Sequence, residues 1–267
     1  MDNARALNPE DIAILFSPRD TLDRRIAARR IHEYHSLATG RLAWVKERVA
    51  TSRLVPEPHG LIVQDGPSRD RLGPRLPTAP PRFHRPMGID AALFDCARGA
   101  GRTPEFDLVY CGSLDRAGLA PTIEMLARRA FRLLCVGAVP DGFPAAALER
   151  MGVRFTGPAQ REEIPRHLAN ARAGLNWMPD QFPLNVQEST KTVEYVAAGL
   201  PTVSNRYAWA TAFAAQPGAA IHWMDDVVSP DDLDRLAAPT LDLADREWFA
   251  MLGRLGFLAF IDAVSSL

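Results

Sequence analysis

Cysteine is scarce in this sequence: three residues in 267, none of them in a Cys-x-x-Cys pair. An odd and scattered count excludes a disulfide framework and a thiolate metal site. It leaves Cys111 and Cys135, at the ends of apolar runs, as small buried thiols, and Cys96 as a loop residue. No apolar run approaches the roughly 18 residues that a membrane-spanning helix needs. Met1 is not followed by the charged-then-apolar pattern of a secretory signal. The expectation is a cytoplasmic protein, with peripheral association at the inner face of a membrane as its nearest approach to lipid. An excess of one charge is missing too: 31 Lys and Arg stand against 32 Asp and Glu, for a net charge of -1 and a pI near 6.6. No overall basic field argues for nucleic acid. The arginine-rich stretches in the first 54 residues and over 69–85 read as solvated faces.

Several signatures of chemistry are also absent. There is no GxGxxG after a strand, no phosphate loop ending in Gly-Lys-Ser/Thr, no GxSxG elbow and no HExxH. The stretch HEYH at 32–35 has two histidines three apart and no third ligand at metal spacing, so no metal site is expected. What remains is a chain that is 47% hydrophobic and long enough for one large or two modest domains.

From about residue 105 the sequence alternates short apolar runs with helical segments. The runs are FDLVYC (106–111), FRLLCV (131–136), VRFT (153–156), AGLNW (173–177), PTVS (201–204) and AAIHW (219–223). Helices are expected between them over 117–129, 143–151, 160–170, 189–198 and 208–215. Strands apolar on both faces and joined by helices predict a Rossmann-like parallel sheet covered on each side. Three runs end in glycine, Gly112, Gly137 and Gly157, at the strand ends where open parallel sheets bind ligands; tight turns alone also use glycine there. Residues 1–86 form an expected smaller, reduced α/β domain, with helical patterns at 19–34 and 39–50, a strand at GLIVQ (60–64) and another at DIAILF (11–16). A Pro- and Arg-rich loop (73–86) and a connector over 87–104 lead to the Rossmann-like domain at 105–243. Terminal helices over 244–267 are expected to pack across the interdomain seam.

The most informative stretch is STKTVEYVAAGLP (189–201). Ser189 or Thr190 caps a helix, Val193, Val196 and Ala197 form its buried stripe, and Gly199 with Pro201 ends it after about three turns. A helix start at the carboxyl edge of the sheet is an anion site, since its free N–H groups and dipole favour negative charge. Lys191 in the first turn opposes that dipole, and an anionic ligand would reverse the penalty. Glu194, one turn on, has a carboxylate suited to vicinal hydroxyls. A diphosphate on Lys191 and a ribose on Glu194 describe a nucleoside diphosphate; a plain surface ion pair on an amphipathic helix is the alternative.

STKTVEYVAAGLPTVS resembles the Lys-x-x-Glu-Tyr-x-Ala-x-Gly-x-Pro-x-Val block of GT-B glycosyltransferases, in particular the family 4-like enzymes that build bacterial surface glycans. FDLVYCGSL, LLCVGAVP and VRFTGPAQREEIPRHLANARAGLNWMP resemble the preceding strands of that family's nucleotide-sugar domain, and RPMGIDAALF its interdomain segment. The resemblance covers about 61–225. It implies two Rossmann-like domains, the acceptor held mainly by the first and the sugar nucleotide by the second. Lys191 would then contact the diphosphate or departing oxygen and Glu194 the ribose. Gly112 and Ser113 would turn beneath the phosphates, and the loop after Gly157 would lie near the base together with Trp177, which as a core residue is equally well explained.

The sequence departs from that pattern at Val186, where many members carry a second glutamate; Glu188 stands two positions late. Ser113 replaces a frequent arginine, and Arg116 is the substitute available. Only about 60 residues precede GLIVQ, fewer than a full first domain uses, and His35 and Glu33 are the candidates there for cleft-facing groups, His35 as a catalytic base. The expected activity is transfer of a sugar from a nucleotide-diphosphate-sugar, UDP or GDP, to a saccharide or lipid-linked acceptor without a metal cofactor. A GT-B protein that binds nucleotide or a partner without catalysis, and a sugar-nucleotide epimerase, are the alternatives.

Overall fold

The computed structural model describes residues 11–16, 28–52, 54–98 and 102–267. The chain divides into two compact units, Met1–Gly88 with Arg246–Leu267, and Ile89–Asp245. Among the described residues of the first, four parallel strands, β1 (Ile12–Phe16), β2 (Arg29–Tyr34), β3 (Gly60–Gln64) and β4 (Arg82–Arg85), lie side by side in chain order. Helices α1 (Ala43–Ala50) and α2 (Pro67–Leu72) accompany them. Tyr34, Leu61, Val63, Ala50 and Leu72 build one small core, and Ile31, Ile62 and Phe83 belong to another. The odd and even positions of β2 and β3 thus face different cores, as strand alternation requires.

Two sequence expectations are corrected in this unit. The helical pattern over 19–34 fails at 29–34, which form β2; residues 19–27 lie outside the described residues. Pairing with β1 on one side and β3 on the other satisfies the strand's backbone along its length. Residues 31–34 are all buried, so the period of two is invisible in RRIHEY, and tertiary pairing overrides local propensity. Residues 82–85, expected to be part of a loop, form β4. Pro81 and Pro86 bracket it, and proline is tolerated beside an edge strand because only one side of the ladder is used.

The second unit carries six parallel strands: β5 (Phe106–Cys111), β6 (Leu133–Val136), β7 (Arg154–Gly157), β8 (Ala171–Asn176), β9 (Thr202–Ser204) and β10 (Ile221–Trp223). Their order is β10-β9-β8-β5-β6-β7. Helices α3 (Leu119–Arg128), α4 (Ala145–Glu149), α5 (Ile164–Ala169), α6 (Thr190–Ala197) and α7 (Ala208–Ala214) connect them. Every residue of β5 and β6 is buried, because both faces are covered. Val109, Leu134 and Val136 pack with Val193 and Val196 of α6. Leu108, Leu133 and Cys135 pack with Ile123 and Leu126 of α3. Chain order reverses between β5 and β8, so the crevice beyond their carboxyl ends is the ligand position that this topology provides.

The last helices, α8 (Trp248–Arg254) and α9 (Phe257–Ser265), belong to the first unit. Phe260 and Val264 join Ile31, Ile62 and Phe83 in one core. A Cβ added at Gly60 would stand 2.6 Å from Cγ2 of Val264, so the helix lies directly on β3. The Trp248 ring covers Gly88 and lies 4.9 Å from the Arg85 guanidinium.

Candidate functional site

The carboxyl edge of the second sheet is tied together by its three glycine turns. Gly112 N–H donates to the Val136 carbonyl at 2.9 Å, and Gly137 N–H to the Gly157 carbonyl at 3.0 Å. A Cβ on Gly137 would land on the Gly112 carbonyl oxygen, a backbone atom that cannot step aside. The Gly112 and Gly137 turns are therefore stacked backbone on backbone.

Helix α6 starts beside these turns. The Ser189 hydroxyl accepts from Thr192 N–H at 3.4 Å and donates to Asn176 Oδ1 at 2.9 Å. The Asn176 amide in turn donates to the Ser204 and Tyr207 hydroxyls at 2.9 and 3.0 Å. One buried amide at the end of β8 thereby fixes the cap of α6, the end of β9 and the residue before α7. From inside α6, the Tyr195 hydroxyl accepts from Cys111 N–H at 3.0 Å, and its ring occupies the place of a side chain at Gly174. The helix start is held rigidly against β5 and β8, as a preformed anion site requires.

Lys191 leaves this helix start buried at 7% exposure. Its stem passes Gly112, where an added Cβ would lie 3.6 Å from Cδ, and its Nζ lies 5.2 Å from the centre of the Tyr110 ring. Burial first, and then the nearby Arg116 guanidinium, push its pKa down to about 7. Arg116 reaches the same place from the loop after β5. One of its terminal nitrogens donates to the Met178 sulfur at 3.0 Å, while its buried Nε has no hydrogen-bond partner among the described residues. Two basic groups, buried Lys191 and half-buried Arg116 with its unsatisfied donor, form an arrangement that an anion would complete.

Glu194, half-buried one turn further along, has its pKa raised by burial, against the opposing effects of Arg161 and Lys191. Arg161 pairs with Asp90 at 2.7 Å, and the Asp90 carboxylate also accepts from Ala92 N–H. Arg161 and Asp90 act electrostatically on Glu194, and motif reading did not single them out. They lie 71 positions apart, so only the fold brings them beside Glu194; the GID step at 88–90 was the available signal.

The other candidates are placed as follows. Ser113 is exposed in the turn after Gly112, its hydroxyl accepting from Asp115 N–H at 3.2 Å. Thr190 is exposed at the first position of α6. Gly157 ends the edge strand β7. Trp177 follows β8, three strand spacings or ~14 Å across the sheet from β7. Its indole N–H donates to the Ala117 carbonyl at 2.9 Å and its ring lies against Gly118, so Trp177 holds the loop that carries Arg116. The structure thus brings Gly112, Ser113, Arg116, Ser189, Thr190, Lys191 and Glu194 to one corner, and leaves Trp177 and Gly157 on separate flanks. His35 belongs to the first unit, exposed past the end of β2 with its ring edge-on to Phe16 at 5.6 Å. Glu33, also in that unit, is buried against Arg85 as an ion pair.

No protein-family model and no curated sequence matches this chain. Solved structures do. AviGT4, a glycosyltransferase involved in avilamycin A biosynthesis, aligns over 100% of this chain and 78% of its own at a TM-score of 0.61 and 16% identity. The GtfA/B complex aligns over 98% of this chain at a TM-score of 0.49 and 11% identity, and this chain spans only 56% of that one. The lipopolysaccharide outer core galactosyltransferase WaaB, in its apo form, aligns over 87% of this chain and 69% of its own, at 0.42 and 14%. The chain has the GT-B fold, with a Rossmann-like second unit and a smaller α/β first unit.

Proposed function

We propose that the protein is a glycosyltransferase whose second unit binds a nucleotide-diphosphate-sugar. The observation that carries this reading is the convergence of Lys191, Arg116 and the α6 start beyond the carboxyl ends of β5 and β8, with Glu194 one turn away. Diphosphate oxygens would accept from the Arg116 Nε, from Lys191 Nζ and from the N–H groups of the helix start, and the Glu194 carboxylate would accept from the ribose hydroxyls. In the transfer step the glycosidic C–O bond to the diphosphate breaks and negative charge grows on the departing oxygen. Cationic groups already fixed at that point stabilise the transition state more than the ground state. This neutralisation calls for no divalent cation, and activity is expected to persist in EDTA. The donor is UDP- or GDP-linked and the acceptor a saccharide or a lipid-linked molecule in surface-glycan biosynthesis. Likeness to AviGT4 supports the reading at the level of fold.

Calorimetric titration of the chain with UDP, GDP, ADP and TDP tests it. One or more should bind, and Lys191→Ala and Glu194→Ala should each weaken that binding at least tenfold. Unchanged affinity in both variants would overturn the site. Binding without sugar transfer or slow donor hydrolysis would replace the enzyme with a nucleotide-binding protein of the same fold, and acceptor-free epimerisation of the sugar nucleotide with an epimerase.

A further inference from the structure

The first unit holds a cleft of about 740 Å³ that the donor site does not use. His32, fully buried in the middle of β2, lies at its floor beside Tyr34. These two residues share the face of the sheet occupied by Leu61, Val63 and α1, since His32 stands opposite Leu61 across the ladder and Tyr34 is two residues on. The walls come from the chain between α1 and β3 and from the turn before β4. Both segments enter strands, so the cleft flanks the amino ends of β3 and β4. That is the opposite edge from the carboxyl-end crevice where open parallel sheets bind ligands.

Its chemistry is specific. Both ring nitrogens of His32 are buried, and neither has a hydrogen-bond partner among the described residues. Burial, helped by Arg30 and His59, lowers its pKa to about 4, so at neutral pH the ring offers one donor and one acceptor side by side with no charge. The Tyr34 hydroxyl is already donated to the Ala50 carbonyl at 3.0 Å, and its ring is buried beside His32. Val55, Pro56, Pro58 and Pro77 supply apolar C–H walls, and Arg75 and Glu57 are exposed at the rim with opposite charges. The floor is a desolvated group without charge at neutral pH, which favours an uncharged partner over an ionic one. A group that both donates and accepts, carried on a ring with an apolar face, satisfies floor and walls together: a sugar hydroxyl on a pyranose. We propose that this cleft binds a small neutral saccharide, with a ring hydroxyl hydrogen-bonded to the His32 imidazole, as a site separate from the donor site.

Long-range nitrogen–proton NMR of the ¹⁵N-histidine-labelled full chain tests this directly. The probes are the methyl glycosides of glucose, galactose and mannose, and the disaccharides maltose and lactose. At least one is expected to shift the His32 ring nitrogens saturably. Thr78→Trp fills the mouth from an exposed turn and leaves the core untouched, and it is expected to weaken that response at least tenfold; His32→Phe should remove glycoside binding by calorimetry. UDP and GDP binding, measured on the same samples, should be unchanged in both variants. If no probe moves the His32 signals, the imidazole's partner is water and the proposal falls; it falls also if the response persists in Thr78→Trp. Glycoside binding in a chain that binds no nucleotide would leave this site standing and remove the donor reading instead.

Discussion

Lys191 is where the cost of the fold and its use meet. A buried lysine whose pKa falls from 10.5 to about 7 binds a proton in the unfolded chain that the folded chain releases, across the interval between those values. Stability therefore rises with pH from about 7 toward 10.5, by ~1.4 kcal/mol per unit at most, and is flat below 7, where both states hold the proton. Lys191→Met removes the penalty: the unliganded variant should melt higher than the parent at pH 6, and the gain should vanish near pH 10. The same variant should lose UDP or GDP affinity at least tenfold, because a charged hydrogen bond contributes roughly 1.5–3 kcal/mol. A diphosphate reverses the field at Nζ, so binding at pH 8 should draw in about one proton per site; calorimetry in buffers of different ionisation enthalpy reads that number, and zero would separate Lys191 from the phosphates. Gly137 marks another constraint of single-residue size. Gly137→Ala drives a methyl into the Gly112 carbonyl, and chemical denaturation should show a loss of about 2–4 kcal/mol.

At the scale of elements, α6 is the part that the rest of the second unit is arranged to hold. Its cap, Ser189, is also the partner of Asn176 Oδ1, so Ser189→Ala removes a helix cap and leaves a buried acceptor unpaired. A loss of ~2 kcal/mol is expected, above the ~1 kcal/mol of an ordinary cap, with nucleotide affinity reduced as the helix start loosens. Denaturation of Ser189→Ala beside Asn176→Ala and the double variant would read the coupling. How far such elements were legible follows from what each needs locally. β5, β6 and β8 were readable because strands buried on both faces show as mainly apolar runs, and α6 because its cap, stripe and Gly-x-Pro stop lie within 13 residues. β2 was not: its buried His32 and Glu33 satisfy long-range demands, one lining a cleft and the other pairing with Arg85, and RRIHEY has no period that reveals them. At the site, Lys191 and Glu194 were visible through spacing on one helix. Arg116 appeared only as a substitute, and Arg161, Asp90 and Asn176 owe their places to crossovers that no local window contains.

For the molecule as a whole, the chain leaves its first unit at Gly88 and returns to it at Arg246, so the unit that forms first in sequence is completed last. Until α9 arrives, Ile31, Ile62 and Phe83 lack the Phe260 and Val264 side chains that share their core. The second unit, by contrast, is continuous and builds its clusters from its own residues. Phe260→Ala should therefore act on one unit. Removing a buried aromatic from a core costs about 3–5 kcal/mol, and hydrogen exchange read by peptide should show faster exchange in β2, β3 and β4 while β5, β6 and β8 keep their protection. UDP or GDP should do the converse, slowing exchange around Gly112 and the start of α6 in proportion to occupancy, since a ligand stabilises only the state that binds it. In Phe260→Ala the nucleotide should still protect those segments to the same extent. Loss of that protection would mean that the donor site depends on the first unit's core, and the second unit would no longer be the sole carrier of nucleotide binding.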